Sequence, residues 1–182
     1  MTALQRRQVL IAAPLVLLGG CGFRLRGSQK FVFDTIAVTP ETGSAVATEL
    51  VRYFGDTVRP LVASKGEVPA QVILDILQDL REKVVVGVNA SGQVREFQLR
   101  LRVRFRLRTL LGREIISPDE ITQQRDISFN ESAVLAKEAE EVLLYRDMQT
   151  DIVQQLLRRL AAVKTIAAPE YMAVPAPTVA QP

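Results

Sequence analysis

The sequence has no histidine and no tryptophan, and its single cysteine is Cys21. These absences exclude a Cys/His metal centre, a histidine-based catalytic triad and an intrachain disulfide. Three tyrosines and seven phenylalanines leave little aromatic surface for stacking bases, so nucleic acid is not an expected partner. No GxGxxG or Walker-type glycine loop occurs. Carboxylate-pair chemistry is what survives. Glu138, Glu140 and Glu141 beside Lys137, and Asp147 with Asp151, read as acids on a solvated helix face, and none has a nucleophile-like neighbour. The chain is therefore expected to be no enzyme and to need no cofactor or metal.

What is present has globular character. The 182 residues are 48% apolar and 24% charged, enough for one domain with short appendages. The formal charge of +3 is unevenly spread, because Arg95 to Arg108 holds six arginines against Glu96 alone. One basic stripe on a nearly neutral body is a signal for a partner.

Residues 1–20 read as a signal peptide. Arg6 and Arg7 make a basic n-region, and Val9 to Leu18 is an apolar run of ten residues containing Pro14. As a helix that run rises only about 15 Å, half the hydrocarbon thickness, so it does not span a membrane. Leu18-Gly19-Gly20-Cys21 resembles the bacterial lipobox, in which the chain is cut before the cysteine and the thiol is acylated. A generic signal peptide with an incidental cysteine is the alternative. Several acyl chains on one residue give stable anchoring, and Gly22, in place of an aspartate, favours the outer membrane. The Arg6-Arg7 pair fits an ordinary n-region and also resembles a twin-arginine signal.

Beyond Cys21, Ile36 and Val38 suit a short strand. Ser44 is placed to cap a helix with apolar positions Val46, Ala47, Leu50, Val51 and Phe54, ending near Gly55. The clearest pattern follows. Phe97, Leu99, Leu101, Val103, Phe105 and Leu107 alternate with Gln98, Arg100, Arg102, Arg104, Arg106 and Arg108, which predicts a strand with one face on a core. Upstream, Val72, Leu74, Ile76, Leu80, Val84, Val86 and Val88 share one parity, and Asn89-Ala90-Ser91-Gly92 makes a turn. Pairing Val88 with Gln93 opposes Val84 to Phe97, Leu80 to Leu101, Ile76 to Phe105 and Leu74 to Leu107. On the other face it opposes Asp79 to Arg102 and Asp75 to Arg106. Gln78 and Glu82 then fall on the apolar face, where they mark a bulge or an end leaving the core.

Ile121, Arg125, Ile127 and Phe129 predict a third strand of this group, with Pro118 at its start. Ser128-Phe129-Asn130-Glu131 fits a capping box for a helix from about Glu131 to Ala162, with a stripe of Tyr145, Met148, Ile152, Leu156, Leu160 and Val163. The Ala/Pro-rich tail, 165–182, reads as disordered. The expected fold is α+β: a two-layer sandwich in residues 21–164, with two helices packed on one face of a small, about four-stranded sheet.

The arginine row is the candidate site. Arg100, Arg102, Arg104, Arg106 and Arg108 stand at every second residue, about 6.6 Å apart along a strand. Guanidinium groups take phosphates and carboxylates bidentately, so the row suits a polyanion or an acidic surface. The plainer reading is a solvated face, with Asp75 and Asp79 as partial partners.

The residues also resemble a known family. Cys21-Gly22-Phe23-Arg24-Leu25-Arg26-Gly27 is similar to the opening of the lipopolysaccharide-assembly lipoprotein LptE family. So are Arg95-Glu96-Phe97-Gln98-Leu99, Phe129-Asn130-Glu131, Ala136-Lys137-Glu138 with Glu141, and Tyr145-Arg146-Asp147-Met148. The likeness covers roughly residues 21–163 and departs at the tail and the hairpin tip. It implies a small sheet with two helices and a role without catalysis: plugging and helping to assemble the outer-membrane β-barrel LptD, and binding lipopolysaccharide. It places the chain at the cell outer membrane, held by acylated Cys21, with the domain on the periplasmic side and within the barrel lumen. Lys137 matches a basic position of the family. The family's other basic position lies near the hairpin tip, where Val88-Asn89-Ala90-Ser91-Gly92 has no cation and Arg95 is the substitute. The alternative is a free-standing periplasmic-facing lipoprotein that binds a small anionic ligand or scaffolds the envelope.

Replacing Arg102, Arg104 and Arg106 together with glutamine is expected to weaken association with the partner in a salt-sensitive way, measurable as affinity across a salt series. An affinity that salt does not change would remove the electrostatic contribution.

Overall fold

The computed structural model describes residues 29–166. The expected signal peptide 1–20, the lipidation candidate Cys21 and residues 167–182 of the expected tail lie outside the described residues.

The chain runs β1 (Ile36–Thr39), α1 (Ala45–Phe54), β2 (Val72–Val88), β3 (Val94–Thr109), β4 (Glu114–Ser128) and α2 (Val134–Ala161). The strands form one sheet in sequence order, with β1 parallel to β2 and the other pairs antiparallel. Both helices pack on one face, so the expected two-layer α+β sandwich is observed.

Local chemistry sets the helix ends. Ser44 caps α1 by accepting a hydrogen bond from the Ala47 amide, and Gly55 ends it at a φ of 52°, which a side chain would disfavour. Val46, Ala47, Leu50 and Phe54 are buried as their spacing predicts, but Val51 is exposed. The capping box expected at Ser128 is not formed. Ser128 is the last residue of β4, and Asn130 instead caps a 3-10 turn, Glu131–Ala133, that leads into α2. Along α2, Tyr145, Met148, Ile152, Val153, Leu156, Leu157 and Leu160 are buried, whereas Leu135, Val142 and Leu143 in its first half are exposed.

β3 is the centre of the core. Leu99, Leu101, Val103, Phe105 and Leu107 are fully buried against the helices, and the intervening arginines line the opposite, open face. The helix side of this strand was legible; the expected pairing holds along only part of β2. Ile76 opposes Phe105, Leu74 opposes Leu107 and Asp75 opposes Arg106, as expected. A bulge at Leu77 then inserts one residue, so Asp79 faces Val103, Leu80 faces Arg102 and Val84 faces Gln98. The expected pairs Leu80–Leu101, Val84–Phe97 and Asp79–Arg102 do not form. Past the bulge Asp79, Arg81 and Lys83 point to the helix side, and Leu80 and Val84 to the open face. The pattern break at Gln78 and Glu82 is the trace of this bulge. β4 begins earlier than expected, and Pro118 lies within it, where the pairing shifts between Phe105 and Leu107 on this edge strand.

Leu101→Ala removes a fully buried side chain from the middle of this core and is expected to cost about 3 kcal/mol. Val142→Ala, on the exposed side of α2, is expected to change stability by under about 0.5 kcal/mol. Urea unfolding midpoints of the two variants check both.

Candidate functional site

The alternation of β3 puts five arginines on one open sheet face, and the neighbouring strands decide which of them are neutralised. Asp75, on β2 and only 6% exposed, takes two of them. It accepts from Arg106 Nε at 2.7 Å, from Arg108 Nε at 2.7 Å and Nη2 at 3.3 Å, and from the Thr39 hydroxyl of β1 at 2.7 Å. Burial opposes ionisation of Asp75, but the hydrogen bonds from Arg108, Arg106 and Thr39, with the Arg108 charge, outweigh it and hold its pKa below the ordinary value. The same contact raises the pKa of Arg108.

Arg102 lies between Glu82 of β2 and Glu120 of β4, at 3.3 and 3.5 Å. Arg100 donates from Nε to Gln98 Oε1 at 2.7 Å. Among the described residues Arg100 and Arg104 have no ion pair, and Arg104 is exposed. Asp79, expected as a partner of this row, is on the other side of the sheet. There it accepts from Ser44 Oγ at 2.8 Å and the Val46 amide at 3.2 Å, extending the cap of α1.

A second basic locus forms on the helix side, between the tip-ward half of the sheet and the first turns of α2. Lys137 donates to Ser128 Oγ at 3.0 Å and to Glu140 Oε2 at 2.9 Å. Lys83 pairs with Glu141 at 2.6 Å and sits 4.4 Å from the Phe97 ring centroid, a cation–π position. Phe97 packs edge-on against Phe129 at 5.3 Å. These groups, with Ile127 and Val134, line a recess of about 50 Å³. Nearby, Tyr145 donates its hydroxyl to the Glu82 carbonyl at 2.7 Å, and burial followed by the charge of Glu141 raises its pKa.

The structure thus separates the expected site residues. Arg100, Arg102, Arg104, Arg106 and Arg108 share the open face; Lys137 is on the opposite face with Lys83; Arg95 is exposed near the start of β3, one residue past the tip-ward pair Val88–Val94. Lys83 was not foreseen as part of this locus, because a uniform alternation along β2 assigns it to the open face. The misplaced Gln78 and Glu82 were the signal that could have moved it. No group of three or more Cys, His, Asp or Glu side chains positioned to hold a metal occurs among the described residues.

Solved structures share this arrangement of sheet and helices. The solution structure of an uncharacterized lipoprotein B from Nitrosomonas europaea is 38% identical, covers 78% of this chain and 91% of its own, and superposes with a TM-score of 0.62. A minor lipoprotein from Acinetobacter baumannii, 21% identical over 73% of this chain and 94% of its own, shares the fold with a TM-score of 0.56. The class is that of small envelope lipoproteins built as a two-layer α+β sandwich. The family model described as LptE, lipopolysaccharide-assembly, matches residues 33–160. The LPS-assembly lipoprotein LptE of Pectobacterium atrosepticum is 26% identical over 85% of this chain and 84% of its own length. Its counterpart in Yersinia enterocolitica is 27% identical over 85% and 75%. The chain belongs to the LptE family of lipopolysaccharide-assembly lipoproteins.

Because the pKa of Asp75 is depressed in the fold, its stabilisation is complete above its ordinary value of 3.8 and is lost as pH falls through the lower folded-state value. Asp75→Asn is expected to cost about 1–3 kcal/mol at neutral pH, since Arg106 and Arg108 lose the shared negative charge and one of its two acceptor oxygens but keep partial access to water. The gap between variant and parent is expected to narrow below pH 3.8, which thermal unfolding across pH measures.

Proposed function

We propose that this chain is an outer-membrane lipoprotein, anchored through Cys21, that plugs the lumen of the LptD β-barrel, helps it to assemble and binds lipopolysaccharide on its way to the cell surface. The role is not catalytic. The observation that carries this reading is the open face of the sheet. Among the described residues it has no helix over it, and of its five arginines Arg100 and Arg104 have no ion pair there. Like charges about 6.6 Å apart along one strand repel each other unless a partner compensates them. An acidic lumen wall or the phosphates of lipopolysaccharide would supply that compensation.

The Lys83–Lys137 locus supports the lipopolysaccharide half of the proposal. It holds two cations, each paired with a glutamate of α2, beside an aromatic pair and next to exposed Leu135 and Val142. An amphiphile with phosphates on an apolar body meets both kinds of surface. The free-standing ligand-binding reading is favoured less by this locus, since a recess of about 50 Å³ is far below the roughly 300 Å³ of ordinary ligand pockets.

A tagged form recovered from detergent-solubilised outer membrane tests the reading. Near-equal recovery of one large barrel is expected, and recovery of the lipoprotein alone would contradict the plug. Arg100→Gln with Arg104→Gln, which spares the paired arginines, is expected to weaken barrel binding about tenfold at low salt, with the difference shrinking as salt rises. Lys83→Gln with Lys137→Gln is expected to lower lipopolysaccharide binding while leaving barrel recovery unchanged.

A further inference from the structure

The end of the sheet opposite the hairpin tip carries exposed apolar side chains that neither basic face uses. The loop between α1 and β2 is tied at both feet to the start of β1. The Arg59 amide donates to the Ile36 carbonyl at 2.9 Å, and the Gln71 amide to the Thr35 carbonyl at 3.1 Å. Between these feet Val62 is 82% and Val68 65% exposed. The β3–β4 turn lies at the same end, because Thr109, where β3 finishes, pairs with Val72, where β2 begins. Its tip residues are Leu110 and Leu111, the latter 72% exposed. Polar or glycine residues ordinarily fill the tip of such a turn. Lys65 and Arg113 are exposed at this end, beside the equally exposed Glu67 and Glu114.

The chain also enters the domain at this end. Phe31 stacks on Phe33 at 5.2 Å and packs edge-on against Phe54, the last residue of α1, at 5.3 Å. Only eight peptide steps separate Gln29 from Cys21, a reach of at most about 29 Å. Any acyl anchor on Cys21 therefore keeps this end of the domain within about 29 Å of the leaflet.

We propose that this end is a membrane-contact surface for the domain before it meets a protein partner. The loop at Val62 and the turn at Leu111 rest in the headgroup boundary of the phospholipid leaflet that the Cys21 acyl chains enter, with Lys65 and Arg113 at the lipid phosphates. The inference rests on the proposed acylation of Cys21. Each loop alone has too little apolar area to bind a bilayer, but a short covalent tether keeps both at high local concentration. Long basic side chains keep their ammonium or guanidinium groups among the phosphates while their stems lie along the apolar boundary.

The lack of tryptophan makes the test direct, because any introduced tryptophan is the only one in the chain. The acylated chain that begins at Cys21 is reconstituted in phosphatidylethanolamine–phosphatidylglycerol vesicles whose lipids are brominated near the top of the acyl chains. Leu111→Trp and Val62→Trp, both at exposed positions, are compared with Leu135→Trp at the other end of the domain. Fluorescence of the first two is expected to be quenched at least about twofold more than that of the third. Flotation with the vesicles is recorded in parallel. Flotation without preferential quenching at Leu111 and Val62 overturns the membrane-contact surface alone. Failure to float overturns the acyl anchor and the contact surface with it.

Discussion

The bulge at Leu77 is the constraint on which the rest of the structure depends. β2 is one continuous strand of 17 residues, and up to Val85 it has two parities. Before Leu77 it turns Val72, Leu74 and Ile76 toward the helices, where they join the core. After Leu77 the helix side receives Asp79, Arg81 and Lys83. Each finds a helix to serve. Asp79 completes the cap of α1; Arg81 donates to Gln149 of α2 at 3.1 Å, and Gln149 reaches Glu49 of α1 at 2.7 Å. Lys83 pairs with Glu141. One inserted residue thus converts an apolar strand into the polar strut that ties both helices to the sheet.

The same insertion distributes charge over two faces. Without it, Glu82 could not reach Arg102 and Lys83 could not stand by Phe97. With it, the acids of the open face pair with Arg102, Arg106 and Arg108, and leave Arg100 and Arg104 without an ion pair among the described residues. Arg106 and Arg108 are structural before they are anything else, since their shared acceptor Asp75 also binds Thr39 and so links β1, β2 and β3. The two basic loci are on opposite faces of the sheet, so a barrel wall on one and an amphiphile on the other need not compete.

Much of this was readable from residue order alone. The alternation from Phe97 to Arg108 states which side of β3 is core, and Ser44 and Gly55 mark the ends of α1 as sharply as the structure does. Pairing along β2 was readable only as far as Ile76. A hairpin register is set by the sum of its pairs, and a run such as Leu80, Val84, Val86 and Val88 satisfies period two whichever face it takes. What decides is tertiary: α1 needs a carboxylate at its N-terminus and α2 needs cations along its acidic first half, and neither need is local to β2. For the same reason the arginine row was found, while Lys83 and the true partners Glu82 and Glu120 were not.

The central claim is that the open arginine face is a partner surface, covered in the assembled state. Arg104 is exposed on that face, and Cys21, the only cysteine, is consumed if it is acylated, so Arg104→Cys introduces a single free thiol. Its rate of maleimide labelling in outer-membrane preparations with the barrel present, against the rate after barrel depletion, is the most direct measurement. Protection with the barrel and rapid labelling without it is the result expected. Equal labelling in both states would show the face open to water throughout and contradict the account.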